Sequence, residues 1–98
     1  MAGIAWHPSA LRELDDIEQV ISQDSPQRAA AFIRRIFATV ERLELFPESS
    51  RVVPDFDRHD VRELIVGNYR AIYSVTPDEV TVLAVRHGAR LLGDIPGL

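Results

Sequence analysis

The chain has 98 residues, 46% hydrophobic and 27% charged, the make-up of one soluble globular domain spanning 1–98 with no room for a second. Its formal net charge is -4, all 11 basic residues are arginine and it has no cysteine. This excludes a disulfide framework, a thiolate zinc site, a cysteine nucleophile and nucleic-acid binding through the overall field.

The first residues, Met1 to Trp6, carry no basic flank and no long apolar run, and nowhere do about 18 consecutive apolar residues occur. The expectation is a cytoplasmic protein with no role for a membrane. Ile4 to His7 is short and apolar, and Pro8-Ser9 predicts a helix start capped by Ser9. Leu11, Leu14, Ile17 and Val20 or Ile21 then recur at helical spacing, with Arg12, Glu13, Asp15, Asp16 and Glu18 on the other face. Gln23 to Ser25 breaks the pattern. Ser25-Pro26 predicts a second helix, with serine as cap and proline where its missing N–H costs no hydrogen bond. Its stripe of Ala29, Phe32, Ile33, Ile36, Phe37, Val40 and Leu43 runs to about Phe46, and Pro47 ends it. Two helices joined by so short a turn form a hairpin.

Beyond Pro47 β-branched residues become frequent. Strands are predicted at Arg51 to Val53, Val61 to Val66, Tyr69 to Thr76 and Val80 to His87, with Gly67-Asn68 and Pro77-Asp78 as turns. With Ile4 to Trp6 this predicts three or four antiparallel strands of useful length. The fold class is therefore α+β: two layers, an N-terminal helical hairpin packed on a small antiparallel β-sheet. Leu14, Ile17, Ile33, Ile36, Val40, Leu43, Ile72, Val82 and Leu83 are the expected core. Parity along the last strand sets Val80, Val82 and Ala84 on one side and Leu83 and Val85 on the other. Both faces of the sheet then need cover, and one hairpin covers only one. The tail after His87, a second copy or a partner must cover the other.

His7, His59 and His87 have no i, i+4 or HxH spacing, so no metal site is expected. Asp55, Asp57 and Asp60 suggest a calcium loop only superficially, because Asp60 stands where the glycine belongs and Val66 where the glutamate belongs. No phosphate-cradling glycine loop and no GxSxG elbow occurs, and nothing calls for a cofactor. Asp15-Asp16 and Glu41 with Glu44 lie on the polar faces of helices, where paired-carboxylate catalysis has no cleft. Arg62, Arg70, Arg86 and Arg90 lie on or just after strands. They could converge into a surface for phosphate or carboxylate, or each could pair with an acid such as Glu63 or Asp94.

Several words in the chain, taken in order, resemble the RelE/ParE superfamily of bacterial type II toxin–antitoxin toxins. They are Trp6, Leu14-Asp15-Asp16-Ile17, Ser25-Pro26 with Ala30 and Phe32, and Leu45-Phe46-Pro47. Arg51-Val52-Val53-Pro54, Val61-Arg62-Glu63-Leu64, Tyr69-Arg70-Ala71-Ile72-Tyr73 and Val85-Arg86-His87-Gly88-Ala89-Arg90 follow, so the resemblance spans nearly the whole chain. It implies a two-layer toxin held inactive by a cognate antitoxin whose C-terminal segment wraps it, which fits an uncovered sheet face. Such antitoxins are usually DNA-binding dimers, so contact with operator DNA would be indirect.

The superfamily divides into ribosome-dependent mRNA endonucleases, resembling RelE, and inhibitors of DNA gyrase, resembling ParE. The resemblance matches two of the endonuclease cations, Arg70 and Arg90. The family's lysine positions fall on Val61 and Glu63, and no tyrosine follows Tyr73. A glutamate there would repel RNA, and a pI of about 5.2 suits ribosomal RNA poorly. The resemblance is thus closer to ParE, with Arg62, Arg70, Arg86 and Arg90 as candidate antitoxin- or target-binding residues. The alternative is a ribonuclease using Arg62, Arg70, Arg86, His87 and Arg90, with His87 moving the proton. A further alternative is an inactive toxin-like scaffold or co-repressor.

Overall fold

A computed structural model describes residues 2–90 and 92–98. In chain order it contains β1 (Gly3–Trp6), α1 (Pro8–Ser22), α2 (Pro26–Glu41), a 3-10 turn (Arg42–Glu44), β2 (Arg51–Val52), β3 (Val61–Val66), β4 (Tyr69–Val75) and β5 (Glu79–His87). Proline occupies the first turn of both helices, where its fixed φ is already helical. The cap of α1 therefore falls on the residue before Pro8. His7, not Ser9 as expected, caps the helix, its Nδ1 accepting the Ser9 N–H at 3.1 Å. The Ser9 hydroxyl instead donates to the Leu83 carbonyl at 3.2 Å and ties α1 to β5. Ser25 caps α2, accepting the Arg28 N–H at 3.2 Å. The α-helix ends at Glu41, and one 3-10 turn carries the chain toward Pro47.

The strands form one sheet in the order β1-β5-β4-β3-β2. Neighbours from β2 to β5 are antiparallel, but β1 runs parallel to β5, which corrects the expectation of a wholly antiparallel sheet. The helical hairpin carries the chain from β1 across to the far edge, and three reversals return it beside β1 in the same direction. A parallel pair needs a long crossover of this kind.

Leu14, Ile17, Ile36, Val40 and Leu43 from the helical layer pack on Val66, Ala71, Tyr73, Val80, Val82 and Val85 of the sheet. Of the expected core only Ile33 is half-buried. The parity expected for β5 fails midway, because Ile72 pairs with Ala84 while Tyr73 pairs with Val82. Leu83 is left over as a bulge, and the residues after it change face. Val80, Val82 and Val85 thus face the helices, while Leu83 and Ala84 face away with Ile72, Val61 and Val53.

That second face is covered by the chain itself. Ile95 and Leu92 of the tail and Phe56 after β2 pack on it. Of the three possible covers, the tail is therefore one, joined by the loop that carries Asp55, Asp57 and Asp60. The face is not the open docking surface for an antitoxin that parity suggested. Among the described residues no helix is long and apolar enough to cross a membrane.

Tyr73 carries a pH dependence. Its ring is fully buried, and its hydroxyl donates to the Pro47 carbonyl at 3.3 Å and shares a hydrogen bond with the Ser50 hydroxyl. Burial pushes the phenol pKa above its ordinary value of 10.0, outweighing the Ser50 hydrogen bond and the nearby Arg62 charge. The neutral phenol is the form that folds well. Its contribution is fully present below the unfolded pKa of about 10 and is lost as pH rises through the higher folded value. Urea midpoints are expected to fall on the alkaline side of pH 10 in the wild type and to fall less in Tyr73→Phe, where that proton is gone. Equal alkaline slopes in the two proteins would contradict this assignment.

Candidate functional site

The hairpin β4–β5 sets Arg70 directly opposite Arg86. Two like charges facing each other across strands repel, so each needs an acid. Arg70 finds Glu63 on β3, its Nε and Nη2 donating to Oε2 at 3.1 and 2.8 Å, and Nη2 also reaches Asp55 Oδ1 at 3.0 Å. Glu63 takes Arg51 on its other oxygen, from Nε at 3.0 Å and Nη2 at 2.7 Å. The Glu63 side chain is 0% exposed, Arg70 11% and Arg51 62%. Burial works to lower the Arg70 pKa, but hydrogen bonds to Glu63 and Asp55 outweigh it and hold the pKa above the ordinary arginine value. Arg70 is a fixed, fully neutralised cation.

Arg86 is held differently. Strand β1 pairs with β5 only as far as Val82, so the outer edge of β5 beyond that point lacks a strand. Glu13 of α1 fills the gap. Its Oε1 accepts the Val85 N–H at 3.3 Å and its Oε2 accepts Arg86 Nε at 3.1 Å, while Arg86 Nη2 donates to the Asp94 carbonyl at 3.3 Å. The expected partner Asp94 is thus engaged through its backbone, and the carboxylate comes from a residue read only as helix surface. What could have exposed Glu13 is an arginine on an apolar strand with no acid beside it in sequence.

Past β5, Arg90 is exposed, with Nη1 3.9 Å from Glu13 Oε2. His87 is exposed as well. Its Nδ1 accepts the Ala89 N–H at 3.1 Å, and its ring stands edge-on to Tyr69 at 5.4 Å between centroids. Tyr69 rests in turn on Phe32 at 5.5 Å. Tyr69, His87 and Arg90 line a shallow cleft of about 170 Å³ between α1 and the sheet, with Glu13, Asp16 and Arg86 in its wall.

Arg62 lies elsewhere. It stands opposite Tyr73, on the face turned to the helices. Its Nη1 donates to the Glu48 and Ser50 carbonyls at 3.2 and 2.8 Å, and its Nε is buried without a partner. The structure therefore brings Arg70 and Arg86 together, places Arg86, His87 and Arg90 along one cleft, and separates Arg62 from them. In the loop after β2, Asp55 serves Arg70, and Arg58 forms a bidentate pair with Asp60 at 3.0 and 2.7 Å that lowers the Asp60 carboxyl pKa. Among the described residues no group of three or more His, Cys, Asp or Glu side chains is placed to hold a metal ion.

Residues 4–92 match the family model described as "ParE toxin of type II toxin-antitoxin system, parDE". The chain is 36% identical over 86 residues to the Y4kP protein of Sinorhizobium fredii, covering 86% of this chain and 85% of that one. It is 33% identical over 92 residues to toxin RelE2 of Caulobacter vibrioides, covering 93% of this chain and 100% of the other. In structure it is similar to a chain of the chromosomal ParDE system from P. aeruginosa. The TM-score is 0.74 at 21% identity, covering 89% of this chain and 96% of that one, so the two share a fold.

Proposed function

This chain belongs to the ParE toxin family of type II toxin–antitoxin systems, and from that premise we propose that it arrests growth by binding DNA gyrase and is neutralised by a cognate antitoxin. The observation that carries this reading is the fully buried Glu63 carboxylate on Arg70. Cleavage of RNA through its 2′-hydroxyl needs cations free to meet charge developing on the scissile phosphate. Here Arg70 is held by Glu63 and Asp55, Arg86 by Glu13, and the cleft wall adds Asp16. A surface balanced in this way suits a protein partner better than a polyanion. An antitoxin that binds operator DNA would then link the toxin to DNA indirectly, in the cytoplasm.

The ribonuclease reading keeps one specific support, that His87 and Arg90 stand open at the same cleft. The test is induction of the chain without antitoxin, followed by a supercoiling assay with purified gyrase and primer extension on cellular mRNA. Supercoiling is expected to be inhibited while mRNA stays intact, with His87→Ala and Arg90→Ala each changing toxicity by less than about tenfold. A ribonuclease would instead cut mRNA on translating ribosomes and lose about 10²–10³ in rate on removal of Arg90. A chain that inhibits neither process while still binding its antitoxin would be a scaffold.

A further inference from the structure

Two apolar features of the helical layer lie apart from the cleft. The first is a knob. Leu45 and Phe46 are 64% and 62% exposed, side by side. Their turn is closed, because both N–H groups donate to the Arg42 carbonyl, at 3.2 and 3.1 Å. The second is a groove of about 310 Å³ between α1 and α2, with Leu11, Leu14, Ile33 and Phe37 as its apolar lining and Asp15 and Glu18 on its α1 side. Among the described residues neither Asp15, Glu18 nor the exposed Arg42 has an ion-pair partner.

We propose that the knob of one copy of this chain seats in the groove of a second copy, with Arg42 facing Asp15 and Glu18. The match is in chemistry and in charge: an apolar pair with one adjacent cation against an apolar floor with an acidic wall. The knob cannot fill its own groove. It is tied by two backbone hydrogen bonds to the turn that ends α2, and Ile33 and Phe37 lie on that same rigid helix. Because each copy carries both features on its helical layer, two copies can exchange them reciprocally and close as a two-fold dimer. Two small contacts of this kind fall below the size of a standard interface, so the dimer is weak and concentration-dependent. The inference stands whether or not gyrase is the target.

Sedimentation equilibrium of the purified chain from about 1 to about 300 µM spans the range in which so small an interface dissociates. The average mass is expected to rise from 11.0 kDa toward twice that value. Phe46→Asp and Leu11→Asp alter exposed side chains, and unchanged circular dichroism will show both folded. Each is expected to weaken association at least about tenfold, as loss of an apolar anchor does. Mixed together, they are expected to associate more tightly than either alone, because the Leu11→Asp copy keeps its knob and the Phe46→Asp copy keeps its groove. A wild type that stays at 11.0 kDa throughout overturns the proposal. So do variants that associate like the wild type, or a mixture no tighter than its components.

Discussion

Glu63→Ala is expected to destabilise the fold by about 3–5 kcal/mol, the cost of breaking a buried ion pair by removing one partner. The magnitude follows from the exposures rather than from the number of contacts. Arg70, at 11% exposed, would lose the carboxylate that takes two of its hydrogen bonds and keep only Asp55 at the surface. Arg51 already reaches water, so Arg51→Ala is expected to cost less than about 1 kcal/mol. Urea unfolding checks both, as a lower midpoint at unchanged slope. Removing the charge from both sides in Glu63→Leu with Arg70→Leu is expected to restore most of the loss, since well-packed apolar replacements of buried pairs are often neutral. A Glu63→Ala midpoint within error of wild type would mean that water reaches Arg70 freely.

Ile36→Ala is expected to cost about 2–5 kcal/mol, the sum of lost burial and the cavity left behind. Ile36 is 0% exposed at the centre of the helical layer, against Val40, Leu43 and the sheet residues beneath. Ile33, one turn earlier in α2 and lining the outer groove, is half-buried. Ile33→Ala is therefore expected to cost clearly less, because its truncation opens onto solvent and leaves no closed cavity. Thermal unfolding of the two variants measures the difference directly. Equal losses would show that both side chains sit in the same enclosed layer. Against a total stability of about 5–15 kcal/mol, either large substitution removes a substantial share of the margin.

The same two positions separate what is local from what is not. Ile36 belongs to a stripe at helical spacing, and a stripe is written by neighbours three and four residues apart, so the core side of both helices is legible in the chain. The caps are nearly so: Ser25-Pro26 works as read, while Pro8 shifts the first cap by two residues onto His7. The strands and the Gly67-Asn68 turn are legible for the same reason, alternation and turn chemistry being properties of a few consecutive residues. The family resemblance rests on these local words in order, and the family match over residues 4–92 bears it out.

Glu63 is the opposite case. Alternation along Val61 to Val66 places it on one face of β3, but whether that face is wet or dry depends on a loop and a tail that arrive from elsewhere in the chain. Leu83 differs again, because a bulge is a mismatch between two strands and neither strand alone contains it. From its sequence alone the chain determined its elements, its helical core, its two-layer class and its family. Only the tertiary structure decided that β1 joins β5 in parallel, that Leu83 reverses the faces of the last strand, and that loop and tail close the second face. It also decided that Glu63 and Glu13 hold Arg70 and Arg86, while Arg62 stands on the other side of the sheet. The physical reason is range: spacing and capping act between residues a few positions apart, whereas register, cover and charge pairing act between residues as distant as Gly3 and Glu79, 76 positions apart.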